Sequence, residues 1–221
     1  MVARPPARNP TKKNHIGRDV VFFIPFFYFC KKARSIYTKQ PTQMTQHSDA
    51  EIQTVLQRNP NEGFAMLVER FQEPLYWHIR RLVVGHHDSE DITQEAFVRI
   101  FRGLPHFKGH SSLTTWVYRI ATNEALRWLK RNEHKKITLL EGSLASTQEP
   151  HINYEDIEAI TLQRAITSLP RKQQLIFNLC YYDELDYEQV AEIVGGRPSA
   201  AKANYHLAKK NIKEQLLAKL M

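Results

Sequence analysis

The sequence predicts an all-α fold in which a flexible linker joins two small helical domains. From Asp49 onward, apolar residues recur at spacings of three and four, and no segment alternates apolar and polar residues as a half-buried strand would. Residues 137–155 lose this periodicity and gather Gly, Ser, Thr and Pro, which is typical of a linker. We therefore expect a first domain over residues 44–136 and a second over residues 156–221.

Residues 1–43 form a leader that we set aside in predicting the fold. They hold nine Lys and Arg against one acid, whereas the rest of the chain has 22 of each sign, so the formal charge of +8 does not by itself indicate a nucleic-acid partner. The eleven largely apolar residues 20–30 are fewer than the ~20 that cross a bilayer. No small-residue cleavage site follows them, as a signal peptide would require. We expect the leader to be disordered or to precede a true start at Met44.

The residue pattern predicts no enzyme, no metal and no cofactor. Cys30 and Cys180 are far apart and have no metal-ligand spacing around them, which fits a reducing compartment such as the cytoplasm. His86, His87 and Asp88 resemble a metal cluster, but adjacent histidines lack the i, i+4 spacing of a helical site. The sequence has neither a phosphate-binding glycine loop nor a paired set of catalytic side chains.

The first domain is predicted to contain four helices. The first two cover residues 49–58 and 62–83, and Pro74 is expected to kink the second or to begin a new first turn. The third covers residues 88–104, with Asp88 as a candidate N-cap. A loop rich in glycine and proline then leads to the fourth helix.

The third helix separates an apolar face from an acidic one. Asp91, Gln94 and Glu95 are neighbours on the outer face, because their offsets are three and four residues. Phe101 is predicted to lie inward with the other apolar residues. The acidic face is either a solvated helix start that the helix dipole favours, or a docking surface for a basic protein partner.

The fourth helix, residues 114–136, combines aromatic rings with cations. Trp116 and Trp128 are 12 residues apart and so about 120° apart around the helix, which prevents both from lying in one narrow buried stripe. Over residues 119–136 the net charge is +4. Two interpretations stay open: core rings beside a solvated charged face, or a surface for single-stranded nucleic acid, whose bases stack on rings and whose phosphates pair with cations.

The second domain ends in a helix-turn-helix pattern. Asp186 and Gln189 form a capping box for a short helix, a glycine pair ends it, and Pro198 suits the first turn of a longer helix. That longer helix has an apolar stripe, namely Ala201, Tyr205, Ala208, Ile212 and Leu216. Residues 197–219 carry a charge of +5, which indicates either a DNA-binding helix or a solvated basic face.

Three blocks in order resemble the extracytoplasmic-function (ECF) subfamily of bacterial σ70-type RNA polymerase sigma factors. The first is D-x-x-Q-E-A-F at Asp91–Phe97, and the second is F-K-G with S-x-x-T-W-V-Y-R-I-A-T-N at Phe107–Asn123. The third is L-P-x-K-Q-x-x-I-F at Leu169–Phe177, followed by the helix-turn-helix. The resemblance covers about residues 49–219 except for the linker.

The resemblance implies that the first domain is sigma region 2, which docks on core polymerase and melts and reads the −10 promoter element. The residues matching the surface that binds the clamp helices of the polymerase β′ subunit are Asp91, Gln94 and Glu95. Phe107 and Asn123 match positions that separate the strands and hold a flipped base of the non-template strand. The full set expected at the −10 element is Phe107, Trp116, Arg119, Asn123, Arg127, Lys130 and Arg131.

The resemblance also implies that the second domain is sigma region 4, which reads the −35 element. The residues expected there are Arg197, Ser199, Lys202, Asn204, His206, Lys209 and Lys210. The family commonly has Val-Lys-Ser-Arg where this chain has Ala-Lys-Ala-Asn at residues 201–204, so the contacts of that Arg do not carry over directly.

The partners implied are core RNA polymerase, promoter DNA and an anti-sigma factor, the last anchored in the membrane, and the place is the bacterial cytoplasm. The alternative is a conventional helix-turn-helix regulator that never enters polymerase. That alternative explains the last two helices but gives no role to the acidic face of the third helix or to residues 107–123.

Overall fold

The computed structural model describes residues 47–83, 85–132 and 157–218, of which residues 157–160 are described by their backbone alone. The predicted leader and the predicted linker, residues 137–155, lie outside the described residues. Every regular element within these ranges is helical, so the predicted all-α class is confirmed. The α-helices are α1 (Asp49–Arg58), α2 (Pro60–Val83), α3 (His86–Gly103), α4 (Leu113–Arg131), α5 (Ile157–Thr167), α6 (Arg171–Tyr181), α7 (Tyr187–Val194) and α8 (Pro198–Ala218).

The first module, α1–α4, is built around α2, which packs against the other three helices. Its apolar stripe at i, i+4 spacing includes the fully buried Leu67, Leu75 and Ile79. The first helix begins at a capping box, since the Ser48 hydroxyl accepts the Glu51 N–H and the Glu51 carboxylate accepts the Ser48 N–H.

Two helix starts predicted in the first module are wrong. Of the two outcomes predicted for Pro74, a kink or a new first turn, the new first turn does not occur, because α2 runs through Pro74. Pro74 is exposed, so the missing backbone donor affects a turn that faces water. The helix α3 begins at His86 with Gly85 as its N-cap, which places Asp88 in the first turn instead of at the cap. Asp88 still opposes the positive end of the helix dipole there.

The second module, α5–α8, packs around Phe177. This ring is fully buried, stacks on Tyr181 at 5.2 Å between centroids, and lies 6.0 Å from the ring of Tyr205. The predicted capping box of the short helix is confirmed, because the side chains of Asp186 and Gln189 each accept the other residue's backbone N–H. The predicted stripe of the long helix is buried as far as Ile212.

A tight turn joins α7 to α8 and completes the helix-turn-helix. Gly195 and Gly196 have φ angles of 73° and 144°, which L side chains adopt only with strain. The long helix begins at Pro198, as predicted. The two modules also touch, since α7 lies against α4 and α6 lies against α2. Among the residues that the structure describes, no helix is apolar over a length that could cross a bilayer.

Candidate protein-docking and nucleic-acid interfaces

The acidic residues of α3 are exposed and lie beside two exposed apolar side chains. Asp91, Gln94 and Glu95 are all exposed, and Val98 and Phe101 on the same helix are 41% and 47% exposed. At about 100° per residue these five side chains fall within about 120° of the helix circumference. We call them the α3 docking surface. A patch that is both acidic and apolar suits a protein partner better than water or DNA.

The exposure of Phe101 corrects the sequence prediction that it lies inward. The inward positions of α3 are taken by Ile92, Ala96 and Ile100, which are buried. Phe101 lies one position beyond this stripe and reaches across the surface to Phe64, whose ring centroid is 4.9 Å away. The helical pattern around Phe101 does not predict its exposure, because a helix end can tolerate an apolar residue on either face.

The predicted −10 residues of α4 share one side of that helix. Arg119, Lys130, Asn123, Trp116 and Arg127 follow one another around about 80° of its circumference, at about 100° per residue. Arg131 extends this arc by about 40°. We call the six residues the α4 outer face. Asn123, Arg127, Lys130 and Arg131 are exposed, and Trp116 and Arg119 are half-buried.

An aromatic pair flanks the α4 outer face. The Phe107 and Trp116 rings are 4.9 Å apart between centroids and tilted by 41°. Both rings are half-buried, so each rests on the core and keeps part of its surface open. Gly103 permits this arrangement, because a Cβ at that position would stand 2.9 Å from a ring carbon of Trp116. Trp128, about 120° away around the helix, is also half-buried but lies off the outer face.

The start of α4 is fixed by a carboxylate from the first helix. One oxygen of Asp49 accepts the backbone N–H of Thr114 at 3.0 Å, and the other accepts the Thr114 hydroxyl at 2.9 Å. Arg70 pairs with the same carboxylate at 2.7 Å. These bonds tie α1, α2 and the N-terminus of α4 together. They therefore hold in place the segment that carries Phe107 and leads into the outer face.

A buried carboxylate that sequence reasoning missed lies behind the α4 outer face. Glu124 has 4% of its side chain exposed, accepts a hydrogen bond from Arg127 Nη1 at 2.6 Å and pairs with Arg99 Nε at 2.8 Å. Arg99 also pairs with Glu95 at 3.2 Å. A chain of ion pairs thus connects the α3 docking surface to the α4 outer face. In the sequence, the i, i+3 spacing of Glu124 and Arg127 is the one pattern that indicates a partner for Glu124.

The predicted −35 residues of α8 divide between its exposed face and its flanks. Ser199, Lys202, His206 and Lys210 are exposed and lie, with Lys213, within about 80° of the circumference, at about 100° per residue. We call these five residues the α8 outer face. It points away from the buried stripe of this helix. Arg197 is exposed immediately before the helix begins.

Two predicted −35 residues lie off the α8 outer face. Asn204 is half-buried, and its side-chain amide donates to the backbone carbonyl of Ala200 at 2.8 Å. It lies at least about 120° around the helix from each residue of that face. Lys209 lies at the margin of the face, with its ammonium 4.8 Å from the centroid of the Tyr205 ring.

Comparison with known proteins identifies what these two modules are. The family model described as sigma-70 region 2 matches residues 67–135, and the model described as sigma-70 region 4 matches residues 159–212. The chain is 31% identical over 153 residues to the RNA polymerase sigma factor YlaC of Bacillus subtilis strain 168. The aligned residues cover 66% of this chain and 87% of that protein. The chain belongs to the ECF subfamily of σ70-type sigma factors. The resemblance inferred from the sequence is therefore confirmed.

One further relative agrees with this assignment, and one solved structure shares the fold. The ECF sigma-E factor of Escherichia coli strain K12 is 31% identical over 152 residues, which are 63% of this chain and 78% of that protein. The solved structure of CnrH in complex with the cytosolic domain of CnrY superposes with a TM-score of 0.61, over 78% of this chain and 99% of CnrH. At 17% identity the CnrH likeness concerns the fold alone.

As a sigma factor, the chain directs promoter-specific transcription initiation with core RNA polymerase and promoter DNA. The alternative of a regulator outside polymerase leaves the region 2 match unexplained. Within the described residues, no group of three or more His, Cys, Asp or Glu could hold a metal ion. Burial raises the pKa of the Cys180 thiol to about 12, so this cysteine is not a ready nucleophile.

Proposed function

We propose that the α3 docking surface, the α4 outer face and the α8 outer face each make a separate contact during promoter opening. The α3 docking surface binds core polymerase, the α4 outer face with Phe107 melts and reads the −10 element, and the α8 outer face reads the −35 element. This assigns residues 44–136 to region 2 and residues 156–221 to region 4, with residues 137–155 as the linker. The observation that carries the proposal is the α4 outer face, where rings, an amide and cations meet on one side of one helix.

The α4 outer face has the chemistry that a separated DNA strand needs. The exposed parts of the Phe107 and Trp116 rings offer a place for a base to stack, and stacking on an aromatic side chain is worth about 1–3 kcal/mol per base. Extruding a base from the duplex costs a few kcal/mol. The exposed amide of Asn123 can donate to and accept from a base edge. The cations around it hold phosphates, so a base extruded here exchanges one set of contacts for another of similar strength.

The α8 outer face suits the major groove of a duplex. The N-terminal residues of the second helix of a helix-turn-helix meet base edges, and here these are Ser199 and His206. Lys202 and Lys210 on the helix, and Arg197 before it, are placed to pair with phosphates. Because Asn204 donates to its own helix, we assign it no base contact.

The α3 docking surface combines apolar area with negative charge, and both suit polymerase binding. Val98 and Phe101 supply apolar area, and the acids beside them supply charge complementarity to a basic partner. No step of this work forms or breaks a covalent bond in the sigma factor, so we propose no catalytic activity and no cofactor. We also propose a cytoplasmic location in a bacterium, where polymerase acts.

An anti-sigma factor is part of the same proposal. CnrH, which shares this fold, was solved bound to the cytosolic domain of CnrY. We propose that a membrane-anchored protein binds this sigma factor in the same general manner and keeps it from polymerase until it is released. Co-purification of the native chain from a membrane fraction, followed by identification of what is bound, tests this part separately.

The test of the whole proposal is run-off transcription with purified core polymerase and genomic DNA, followed by mapping of the start sites. Asn123→Ala is expected to relax base preference in the −10 element while its affinity for core polymerase stays unchanged. Asn61→Ala is the matched control, because Asn61 is an exposed asparagine outside the α4 outer face. An unchanged −10 preference would remove Asn123 from the reading surface.

A further inference from the structure

One exposed leucine of region 4 has no role in the surfaces described above. Among the described residues, four large apolar side chains are exposed, namely Val98, Phe101, Leu207 and Leu217. Val98 and Phe101 belong to the α3 docking surface, and Leu217 lies next to the end of α8. Leu207 is 48% exposed in the middle of α8 and directly follows His206, which we assign to a base edge. Leu207 therefore lies where the promoter duplex is expected.

Two exposed alanines extend the apolar surface around Leu207. Ala200 and Ala203 are exposed, and at about 100° per residue they lie with Leu207 within about 60° of the helix circumference. We call these three residues the apolar side of α8. The neighbouring Asn204 donates its amide to the Ala200 carbonyl at 2.8 Å, so that amide is turned toward its own helix. Two turns beyond Leu207 this side carries the exposed acid Glu214, so the part that suits DNA is confined to the first three turns.

Leu207 and His206 face away from the core to the same degree. The buried stripe of α8 consists of Ala201, Tyr205, Ala208 and Ile212. At about 100° per residue, Leu207 and His206 each lie about 130° around the helix from the centre of this stripe, on opposite sides of the outward direction. Ala203 lies about 170° from that centre, almost directly opposite the core. A helix that presents His206 to a duplex therefore presents Leu207 and Ala203 as well.

The width of the major groove brings both flanks of α8 against DNA. The groove is about 12 Å wide, and an α-helix with its side chains is about 10–12 Å across, so an inserted helix contacts both walls. The C5 methyl group of thymine is the apolar group in this groove, and alanine and other apolar side chains contact it. Residues 198–218 contain no arginine, whose rigid fork suits bidentate pairing with guanine. Contact with methyl groups is the recognition chemistry that this side of α8 offers.

We propose that the apolar side of α8 recognises thymine in the −35 element by packing against C5 methyl groups, with Leu207 making the main contact. This rests on the −35 role proposed for α8 and adds the base that this helix prefers. Leu207 is the largest of the three side chains and determines the specificity, whereas Ala200 and Ala203 let the helix approach the methyl groups closely. The cations of the α8 outer face hold phosphates and supply affinity for any sequence. The apolar side favours the positions at which thymine presents its methyl group.

The test removes the methyl group without changing base pairing. Promoter duplexes from the mapped start sites carry deoxyuridine in place of each −35 thymine in turn, on either strand, and are titrated with full-length sigma factor bound to core polymerase. The wild type should bind the duplex that lacks the contacted methyl group about fourfold more weakly, which is the loss expected for one buried methyl group. Leu207→Ala should bind the thymine and deoxyuridine duplexes within about 1.5-fold of each other, because the contact is already absent.

Two further variants show that the effect belongs to this leucine. Leu217→Ala is the matched control, because Leu217 is also 48% exposed on α8 but lies about 15 Å further along the helix axis. It should keep the fourfold difference between thymine and deoxyuridine. Leu207→Met, which retains an apolar side chain of similar volume, should keep it too. A wild type that is insensitive to every deoxyuridine, or a sensitivity that persists in Leu207→Ala, would overturn the thymine contact.

Other outcomes identify a different occupant or a failure of the −35 role itself. If Leu207→Ala loses polymerase affinity in the absence of DNA, a protein covers the apolar side and the thymine contact is wrong. Exchanging the whole −35 element for an unrelated sequence tests the role of α8, and unchanged affinity would overturn both that role and the thymine contact. If the exchange weakens binding but no deoxyuridine substitution does, the −35 role holds and the thymine contact alone is overturned.

Discussion

Regions 2 and 4 of this sigma factor have cores of different chemistry. Eight polar or charged residues among the described ones are buried as whole residues, and seven of them lie in region 2. Region 4 contributes Asn178 and, by its side chain alone, Asp183, which is 3% exposed. The region 2 set includes Glu124, which pairs with Arg127 of the α4 outer face, and His78, whose Nε2 lies 2.9 Å from the Thr122 hydroxyl. Region 4 instead packs apolar residues around Phe177 and presents one helix to solvent.

The difference follows from what each region does to DNA. A recognition helix needs only to be held rigidly, because base edges in the major groove are already exposed. Separating strands requires rings, an amide and cations in fixed relative positions, since the contacts made must offset the cost of unstacking. Buried polar networks supply such positioning, although each network is costly when one member is missing. Perturbing one core at a time therefore distinguishes the two regions.

The largest effect on stability is expected from a cavity in the core of region 4. Phe177→Ala should lower the free energy of unfolding of this region by about 3–5 kcal/mol, because a fully buried ring is replaced by a cavity. Urea unfolding measures it, and −35 binding should fall with it. Leu217→Ala, at a residue 48% exposed, should change stability by no more than about 0.5 kcal/mol. Core polymerase affinity that falls in parallel would show that the regions do not fold independently.

The next largest effect is expected at the polar network of region 2. Glu124→Gln leaves Arg99 and Arg127 without their shared carboxylate, and we expect a stability loss of about 1–3 kcal/mol. This estimate is below that for a fully buried pair, because the two Arg side chains are 44% and 56% exposed. The −10 preference should broaden too, since Arg127 is no longer held. Glu95→Gln, at an exposed partner of Arg99, should leave the unfolding curve almost unchanged.

Local patterns in the sequence predict much of region 4. The capping box at Asp186, the helix start at Pro198 and the stripe from Ala201 to Ile212 each depend on residues within one or two turns of one another, and all are confirmed. The family blocks likewise predict the class and the order of the two regions. A single helix also determines which of its residues are exposed together, so the α4 outer face follows from the helical period once the helix is known.

Contacts between distant segments could not be predicted in this way. Asp183 meets His78 across 105 residues of sequence, and no periodic pattern relates positions so far apart. One partner of Glu124, Arg99, lies on another helix, so the sequence alone does not predict that Glu124 is buried and paired. Phe101 is apolar and lies next to a buried stripe, yet it is 47% exposed, because Ile92, Ala96 and Ile100 occupy the inward positions of the helix. These features therefore depend on contacts between helices, which a local pattern does not contain.

A smaller effect, on binding and not on folding, is expected at the α3 docking surface. Phe101→Ser should weaken core polymerase binding about 10- to 100-fold, because it removes the exposed aromatic side chain of the surface. Stability should fall by less than about 1 kcal/mol, since the side chain is already 47% exposed. Titration of labelled sigma factor with core enzyme measures the affinity. Leu207→Ser, at a residue 48% exposed on α8, is the matched control and should bind polymerase normally.

The smallest expected effects separate two neighbouring residues of the recognition helix. Lys202→Ala should weaken −35 binding and reduce the slope of log K against log salt concentration by about 0.9, because one phosphate contact no longer releases a counterion. Asn204→Ala should change neither the slope nor the affinity by more than about twofold, since the Asn204 amide is satisfied within its own helix. Binding to a −35 duplex over a series of salt concentrations, with polymerase present, measures both. A larger loss at Asn204 than at Lys202 would mean that the amide leaves Ala200 to reach a base, and the α8 outer face would then have to be redrawn to include it.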